Sequence, residues 1–385
     1  MIRGKEFNGE RLKSARLYRN KTIEQLSKET KIFIDSITEF EEMKAVPSPE
    51  NILSLSNKLN FPKDYFFEKD SFDLLVEGSV FNVHSSNYRK EEKSYIEKIL
   101  ITHKIFAFIE RYITFPKMNV IYLSADEIDI DDIANKLRAH YKLSNDPVIN
   151  MVNLLERNGF IISTINSSKN SVGPFLQKHS LYNNTRYFMA LGNDKKSVPK
   201  RNYDLGVLLG HVVLHDPLMN IEISKEKFKS IKEEAKSFSR AFLLPKEEFL
   251  SDLAYPAELE YYVALKRKYI VPIDVMILRA YEVGAISYRK YDYLLKEMAK
   301  KGWDKKEPLE EIKGANPSLS KQALDIMEEN NLVKNVKLVE TLSKEGLSLY
   351  YEDLEELLGL KKGKLKPKAI KNEKIDNLKV VDFRR

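Results

Sequence analysis

Two histidines, His211 and His215, lie four residues apart in the apolar stretch YDLGVLLGHVVLHDP, which spans residues 203–217. Such a stretch is typical of a buried helix, and side chains four residues apart lie on the same face of a helix. The spacing raises the question of a metal site, because imidazole is a common ligand of zinc. The chain has no cysteine, so thiolate zinc sites, disulfides and cysteine nucleophiles are excluded.

From residue 119 to 256, the pattern mixes helices with short strands. Helices are predicted from the spacing of apolar residues, and strands from short β-branched runs. The predicted helices cover residues 130–141, 147–159, 201–216 and 232–249, and the predicted strands are FIISTI at 160–165 and TRYFMALG at 185–192. A central α+β domain is therefore expected, and it would hold the two histidines.

Two of these helices resemble segments of the ImmA/IrrE family of zinc metallopeptidases. The matching segments are GVLLGHVVLH at residues 206–215 and KEEAKSFSRAFLLP at residues 232–245. Family members show a helix similar to HELGHLLLH and then one similar to ExxANxFAxxLLMP. In the family, the two histidines of HExxH and the later glutamate bind zinc, and the glutamate of HExxH is the general base. The resemblance implies a zincin-like fold, in which zinc would lower the pKa of bound water to about 7.

The side chains at the family's functional positions differ in this chain. Val207 lies at the first histidine ligand, Leu208 at the catalytic glutamate and Lys232 at the third ligand, whereas His211 matches the second ligand. His215 matches a histidine that often follows the motif. Valine and leucine cannot bind a metal, and one histidine cannot build a three-ligand site. The resemblance therefore implies a pseudopeptidase that has no catalytic residue and binds no zinc.

A second metal arrangement stays open. His211 and His215 could act as a shifted pair, with Asp216 or Glu233 as the third ligand. This arrangement would still lack a general base, because Val212 follows His211 where the family has glutamate after histidine.

The first 70 residues are predicted to form a domain of short helices. Helical spacing covers residues 8–20, 22–30 and 32–43, and the break Pro47–Ser48–Pro49 comes before another helix at residues 50–60. Two short helices with a brief turn, inside a unit of this size, indicate a helix-turn-helix.

This segment resembles the XRE family of lambda-repressor-like regulators. The matching residues are Gly9, Arg11, Leu12, Arg16, Thr22, Leu26, Ile37, Glu41 and Pro47. The resemblance implies that Thr22–Thr30 is the first helix of the motif and that Phe33–Met43 is the recognition helix. The residues predicted to contact double-stranded DNA are Arg11, Arg16, Arg19, Thr22, Phe33, Ile34, Asp35, Ser36, Thr38 and Glu39.

The charges of this segment are unusual for the family. Recognition helices commonly present Arg, Lys, Gln or Asn to base edges, whereas this one carries four acidic residues between positions 35 and 42. Ile23 lies where the family often has a glutamine that contacts phosphate. The first helix and the following turn are basic through Arg11, Lys13, Arg16, Arg19 and Lys21. We expect this basic segment to contact the DNA backbone.

The net charge of +7 is concentrated at the end of the chain. Residues 361–385 hold ten Lys/Arg and three Asp/Glu, so the preceding 360 residues are balanced. A basic, mobile tail suits nucleic acid or another polyanion. The alternative is a solvated end with no binding role.

The expected fold is multidomain and mainly α-helical. The predicted segments are 1–70 (helix-turn-helix), 71–118 (helical connector), 119–256 (degenerate ImmA/IrrE-like domain), 257–360 (helical C-terminal region) and 361–385 (basic tail). The sequence has no apolar run of about 18 residues and no signal peptide at its N-terminus, so no membrane association and a cytoplasmic location are expected.

These features predict a bacterial DNA-binding transcriptional regulator, expected to be a homodimer. Its metallopeptidase-like domain would serve as a sensor or would bind a protein partner. One alternative is an active zinc metallopeptidase that cleaves a repressor, which Val207 and Leu208 contradict. The other is an antitoxin or anti-phage interaction module that does not bind DNA.

Overall fold

The structure is a computed structural model, and it describes residues 6–69, 74–81, 89–123, 129–165, 174–181, 184–192, 197–216, 224–314, 316–332 and 335–367. Within these ranges, helices far outnumber strands, which confirms the mainly α-helical fold with a central α+β part. The α-helices are α1 (Gly9–Tyr18), α2 (Ile23–Thr30), α3 (Ile34–Glu41), α4 (Pro49–Leu59), α5 (Arg89–Ile109), α6 (Ile130–His140), α7 (Met151–Arg157), α8 (Val198–His215), α9 (Lys225–Leu243), α10 (Lys246–Asp252), α11 (Leu259–Tyr269), α12 (Ile273–Glu282), α13 (Tyr288–Lys300), α14 (Leu319–Glu329), α15 (Asn335–Lys344) and α16 (Tyr351–Leu357). A 3₁₀ helix, Lys63–Phe67, follows α4, and the strands are β1 (Leu74–Phe81), β2 (Ile161–Ile165), β3 (Phe175–Leu181) and β4 (Asn184–Gly192).

Polar side chains cap the first helices where the sequence predicts their starts. Asn8 accepts hydrogen bonds from the first amides of α1, and Ser48 caps α4 ahead of Pro49. Thr22 and Gln25 form a reciprocal capping box at the start of α2. Each cap satisfies amides that have no partner inside the helix. The predicted helices at residues 8–20, 22–30 and 32–43 are confirmed, each within two residues at its ends.

The four strands form one sheet in the order β1-β3-β4-β2. β3 is antiparallel to both β1 and β4, and β2 is parallel to β4. The strands predicted at residues 160–165 and 185–192 are confirmed as β2 and β4. The sequence did not indicate β1 or β3. Residues 71–118, expected to form a helical connector, contain β1 as well as α5.

The sheet lies between two hydrophobic cores. One face, which includes Leu176, Tyr187 and Met189, packs in a core with helices α6–α13. The opposite face, which includes Phe175 and Phe188, packs in a core with helices α1–α5 and α14–α16. Adjacent residues of β3 and β4 therefore point into different cores, as the alternation of side chains along a strand requires.

The two cores divide the chain differently from the predicted segments. Helices α11–α13 share a core with the central helices, across the predicted boundary at residue 257. Helices α14–α16 share a core with α1–α5, although Ile109 at the end of α5 and Leu319 at the start of α14 are far apart in the sequence. The tail beyond residue 367 lies outside the described residues. None of the described helices is long and apolar enough to cross a membrane.

Candidate functional site

Helices α8 and α9 carry the positions where the sequence places a metal site, and they pack at very short distance. A Cβ atom added to Gly206 would lie 2.4 Å from the Ser239 hydroxyl, and one added to Gly210 would lie 2.9 Å from the Ala235 carbonyl. The Ser239 hydroxyl donates to the Tyr203 carbonyl at 2.9 Å. The two glycines, four residues apart on α8, thus let the helices approach each other.

Val207 and Leu208 lie inside the core at this helix pair. Their side chains are 1% and 0% exposed, and they are surrounded by other apolar groups. They supply no donor atom at the positions of the family's first ligand and general base. Lys232 lies half-buried on α9, with its Nζ 4.9 Å from the centre of the Phe228 ring. Burial lowers the pKa of Lys232, and the neighbouring Lys236 lowers it further.

His211 is completely buried, and neither of its ring nitrogens has a hydrogen-bond partner among the described residues. Burial lowers the pKa of His211 to about 3, and nearby His215 and Lys232 act in the same direction. The imidazole is therefore neutral at pH 7. An unsatisfied buried polar group costs about 1–3 kcal/mol, so His211 destabilises this core relative to an apolar side chain of similar size.

The acidic groups near His215 are held by other side chains. Glu234 lies 2.8 Å from His215 Nε2 and accepts a hydrogen bond from Ser230 at 2.6 Å. Although burial opposes ionisation, the hydrogen bonds from Ser230 and His215 leave the pKa of Glu234 below its usual value. Glu233, the alternative third ligand, is exposed and pairs with Lys236 at 2.8 Å. In this arrangement Glu234, and not Glu233, contacts His215.

Asp216, the other alternative ligand, is also occupied. Its carboxylate pairs with Lys178 at 3.0 Å and accepts a hydrogen bond from the Tyr187 hydroxyl. Within the described ranges, no three His, Asp or Glu side chains form a group that could hold a metal ion. Val207, Leu208 and Lys232 therefore place no metal-binding group at three of the positions that form the family's zinc site.

The second candidate site is the surface of α3, which follows α2 through a tight turn at Lys31. Lys31 has φ of 62°, a left-handed conformation that ends α2. Phe33 precedes α3 and is 82% exposed, and Ile34, Asp35 and Glu39 are also exposed. The structure therefore brings the predicted recognition residues together on one accessible surface, with Ser36 and Thr38 half-buried beside them.

The three arginines predicted to contact phosphate are bound within the chain. Arg16 forms two hydrogen bonds, of 2.6 and 2.7 Å, with buried Glu41. Arg19 forms two, of 2.7 and 2.6 Å, with Asp353 of α16. Arg11 is buried and donates to the Gly346 carbonyl at 2.9 Å. These guanidinium groups already stabilise the packing of α1, which leaves them less available for the phosphate contacts that the sequence predicts.

The side chain of Thr22 is likewise used in capping α2. A cavity of about 820 Å³ opens next to this cap, between α1, the start of α2 and α5. Lys13, Lys21 and Lys93 line it together with Glu97. The sequence does not indicate this cavity, because Glu24 and Lys93 on its two sides are far apart in the chain and no local pattern marks their proximity.

Comparison with known families agrees with both resemblances. Residues 9–71 match the model of a helix-turn-helix domain, which includes α1–α4. Residues 164–281 match the model of an IrrE N-terminal-like domain, which includes β3, β4 and the α8–α9 pair and extends into α12. No curated protein gives a significant match. The chain thus combines a helix-turn-helix domain, of the type found in DNA-binding regulators, with a peptidase-like domain.

Proposed function

We propose that this protein is a DNA-binding transcriptional regulator whose IrrE-like domain has lost its zinc ligands and its catalytic glutamate. The observation that supports DNA binding best is the exposed α3 surface, presented by a helix-turn-helix. In such domains the second helix of the motif enters the major groove. The IrrE-like domain then serves as a sensor or as a binding surface for a protein partner.

The side chains of α3 suit a particular kind of base contact. Ser36 and Thr38 can donate to or accept from base edges, and Asp35 and Glu39 can accept from the N4 amino group of cytosine. The exposed ring of Phe33 can contact the methyl group of thymine. We therefore propose a pyrimidine-rich half-site on the strand that faces α3.

Other groups must supply the attraction to phosphate, because Arg11, Arg16 and Arg19 are occupied. Lys13, Lys28 and Lys31 are exposed on or next to the motif. The basic tail, residues 361–385, adds a larger positive charge. We propose that the lysines and the tail contact the DNA backbone, which would make binding strongly salt-dependent.

A homodimer in the bacterial cytoplasm completes this proposal. Two helix-turn-helix units related by a two-fold axis would place their α3 helices about 34 Å apart, one turn of DNA. Sedimentation of the full chain, alone and with operator DNA, measures the stoichiometry directly.

A second candidate function is a protein-interaction module that does not bind DNA. The motif exposes several large apolar side chains, among them Phe33, Met43 and Val46, next to acidic Asp35 and Glu39. Exposed apolar groups rimmed by polar ones often mark protein interfaces. The acidic rim would favour a partner with a basic segment.

A gel-shift experiment with duplex from upstream of the protein's own gene separates the two candidates. Under the regulator proposal, this duplex binds at least ten times more tightly than random duplex, and Ser36→Ala with Thr38→Ala reduces that preference. Ser251→Ala, at an exposed serine of α10, is a matched control that should leave the preference intact. If no duplex binds more tightly than random DNA, the interaction module replaces the regulator.

A further inference from the structure

Three tyrosines form an aromatic cluster where α12 meets α13. Tyr281 stacks on Tyr291, with ring centres 5.5 Å apart and planes at 27°. Tyr288 packs against both rings, at 6.0 Å from Tyr281 and 6.2 Å from Tyr291. Tyr288 is nevertheless 65% exposed, so its ring contacts the other two tyrosines and still presents much of its surface to solvent.

Cationic side chains continue from this cluster along α13. Arg289, Tyr293, Lys296 and Lys300 follow one another at spacings of four, three and four residues, so they lie on one face of the helix. Lys290 Nζ lies 4.5 Å from the centre of the Tyr293 ring, and that ring is 46% exposed. The strip from Arg289 to Lys300 is about 17 Å long.

The charge balance of this strip is positive. Residues 287–306 contain seven Lys/Arg and three Asp/Glu, although residues 1–360 as a whole are balanced. The nearby carboxylates are engaged. Glu282 binds Arg240 with two hydrogen bonds of 2.6 and 2.8 Å, Asp292 pairs with Lys296 at 2.6 Å, and Glu297 accepts from the Tyr293 hydroxyl at 2.8 Å. Arg289 and Lys300 are exposed and have no ion pair within the described part of the chain.

We propose that Tyr281, Tyr288 and the α13 strip form a binding surface for single-stranded nucleic acid, here termed the tyrosine surface. A base would stack on the open face of Tyr288, another would contact Tyr293, and Arg289 and Lys300 would bind the phosphates between and beyond them. Exposed aromatic rings that alternate with cations are the elements of single-strand recognition. A duplex offers no free base faces to these rings, because its bases stack on one another. The surface is therefore distinct from the duplex-reading role proposed for α3.

The charge of the strip favours nucleic acid over a protein partner. Lysine is depleted in the buried centres of protein interfaces, and here lysines flank the rings on both sides. The start of α13 adds amide groups that favour an anion close to Tyr288 and Arg289.

Fluorescence anisotropy with the full chain and labelled strands tests the proposal. The strands are about 12 nucleotides long, which is within the range bound by known single-strand sites. The probes are oligo(dT), oligo(U) and a duplex of the same length, so that DNA, RNA and double-stranded DNA are compared. We expect the single strands to bind more tightly than this non-operator duplex. Tyr288→Leu should weaken single-strand binding by about 5- to 150-fold, the effect of losing one stacked base. Tyr288→Phe, which keeps the ring, should retain the affinity.

Two further variants test whether single strands bind at the tyrosine surface and not elsewhere on the chain. Arg289→Ala should lower the salt slope of log K for single strands by about 0.7, whereas Tyr112→Leu, an exposed tyrosine near the end of α5, should change nothing. Tyr288→Leu should not alter duplex binding. The proposal is overturned if Tyr288→Leu and Tyr288→Phe bind single strands equally well, or if no single strand binds; a protein would then be the better partner for these tyrosines.

Discussion

Arg19, at the end of α1, and Asp353, in α16, form an ion pair with two hydrogen bonds of 2.7 and 2.6 Å. The Asp353 carboxylate is almost fully buried, and the Tyr18 hydroxyl also lies 3.4 Å from it. Arg19 donates in addition to the Leu59 carbonyl at 2.7 Å. This pair joins the helix-turn-helix to the C-terminal helices, which are the most distant part of the described sequence.

Loss of this pair should destabilise the protein. Asp353→Asn removes the negative charge of residue 353 but keeps the shape of its side chain. The partly buried positive charge of Arg19 then has no counter-charge at this position. Because Arg19 retains some exposure, we expect a loss of about 1–3 kcal/mol in the free energy of unfolding. Urea denaturation followed by circular dichroism measures it. Asp292→Asn breaks the exposed pair with Lys296 and should cost less than about 1 kcal/mol; equal effects of the two variants would show that the Arg19 pair does not fix the packing.

A different effect is expected for Arg16. Its pair with Glu41 is buried on both sides and joins α1 to α3. Arg16→Ala should leave Glu41 as an uncompensated buried charge and cost about 3–5 kcal/mol. Thermal unfolding should show this loss of stability. The variant that remains folded should bind DNA with an unchanged salt slope. A lower slope with normal stability would instead restore Arg16 as a phosphate contact.

The arginines illustrate what the sequence could and could not predict. Helix starts follow from local caps such as Asn8 and Thr22, so the first four helices were predictable. The partners of Arg16 and Arg19 lie 25 and 334 residues away, and no local pattern marks them. The sequence alone therefore indicates that these arginines are free to contact DNA, whereas in the fold their guanidinium groups form ion pairs within the chain.

Strand β3 was missed for a related reason. Its sequence FLQKHSL places Gln177 and His179 where a strand that faces a core should have apolar residues. Both side chains are buried, and they satisfy each other: His179 Nε2 lies 2.6 Å from Gln177 Oε1. The positions of Val207 and Leu208, by contrast, were predictable, because the family motif fixes their place on α8 and their side chains cannot bind metal.

The buried histidine pair next to β3 has a defined proton arrangement. His103 Nδ1 lies 2.6 Å from His179 Nδ1, and burial lowers the pKa values of these two residues to about 2 and about 3, so both rings are neutral at pH 7. His179 should donate from Nε2 to Gln177, which leaves its Nδ1 as the acceptor of a proton carried by His103 Nδ1. Nitrogen-15 NMR of the imidazoles should therefore show the Nδ1–H tautomer for His103 and the Nε2–H tautomer for His179. Gln177→Leu should remove this preference; the opposite assignment would contradict the geometry.

His211 makes stability depend on pH. Its pKa is about 3 in the folded chain, below the usual value of about 6.5 in the unfolded chain. The unfolded state therefore binds more protons below pH 6.5, so stability is complete above that pH and falls as the solution becomes more acidic. At pH 5, the linked loss is about 2 kcal/mol for this residue.

His211→Leu should remove that loss. At pH 7, the variant should be as stable as the parent or more stable, because the two unsatisfied ring nitrogens are replaced by an apolar group. Urea denaturation at pH 7 and pH 5 measures both effects. A parent and variant that lose the same free energy between these two pH values would show that His211 is not buried in neutral form.

The last prediction concerns zinc. Val207 and Leu208 are buried among apolar groups, Glu233 pairs with Lys236, and Asp216 pairs with Lys178. Glu234 lies beside His215 but is also hydrogen-bonded to Ser230, and no three His, Asp or Glu side chains of the described residues form a group that could hold a metal ion. Protein expressed with added zinc should therefore contain far less than one zinc per chain by elemental analysis, and should not cleave peptides. His211→Ala should not change the metal content, which provides the matched comparison. About one zinc per chain that survives mild chelation and disappears in His211→Ala would show that the α8–α9 pair rearranges to bind metal, and would return the peptidase alternative to consideration.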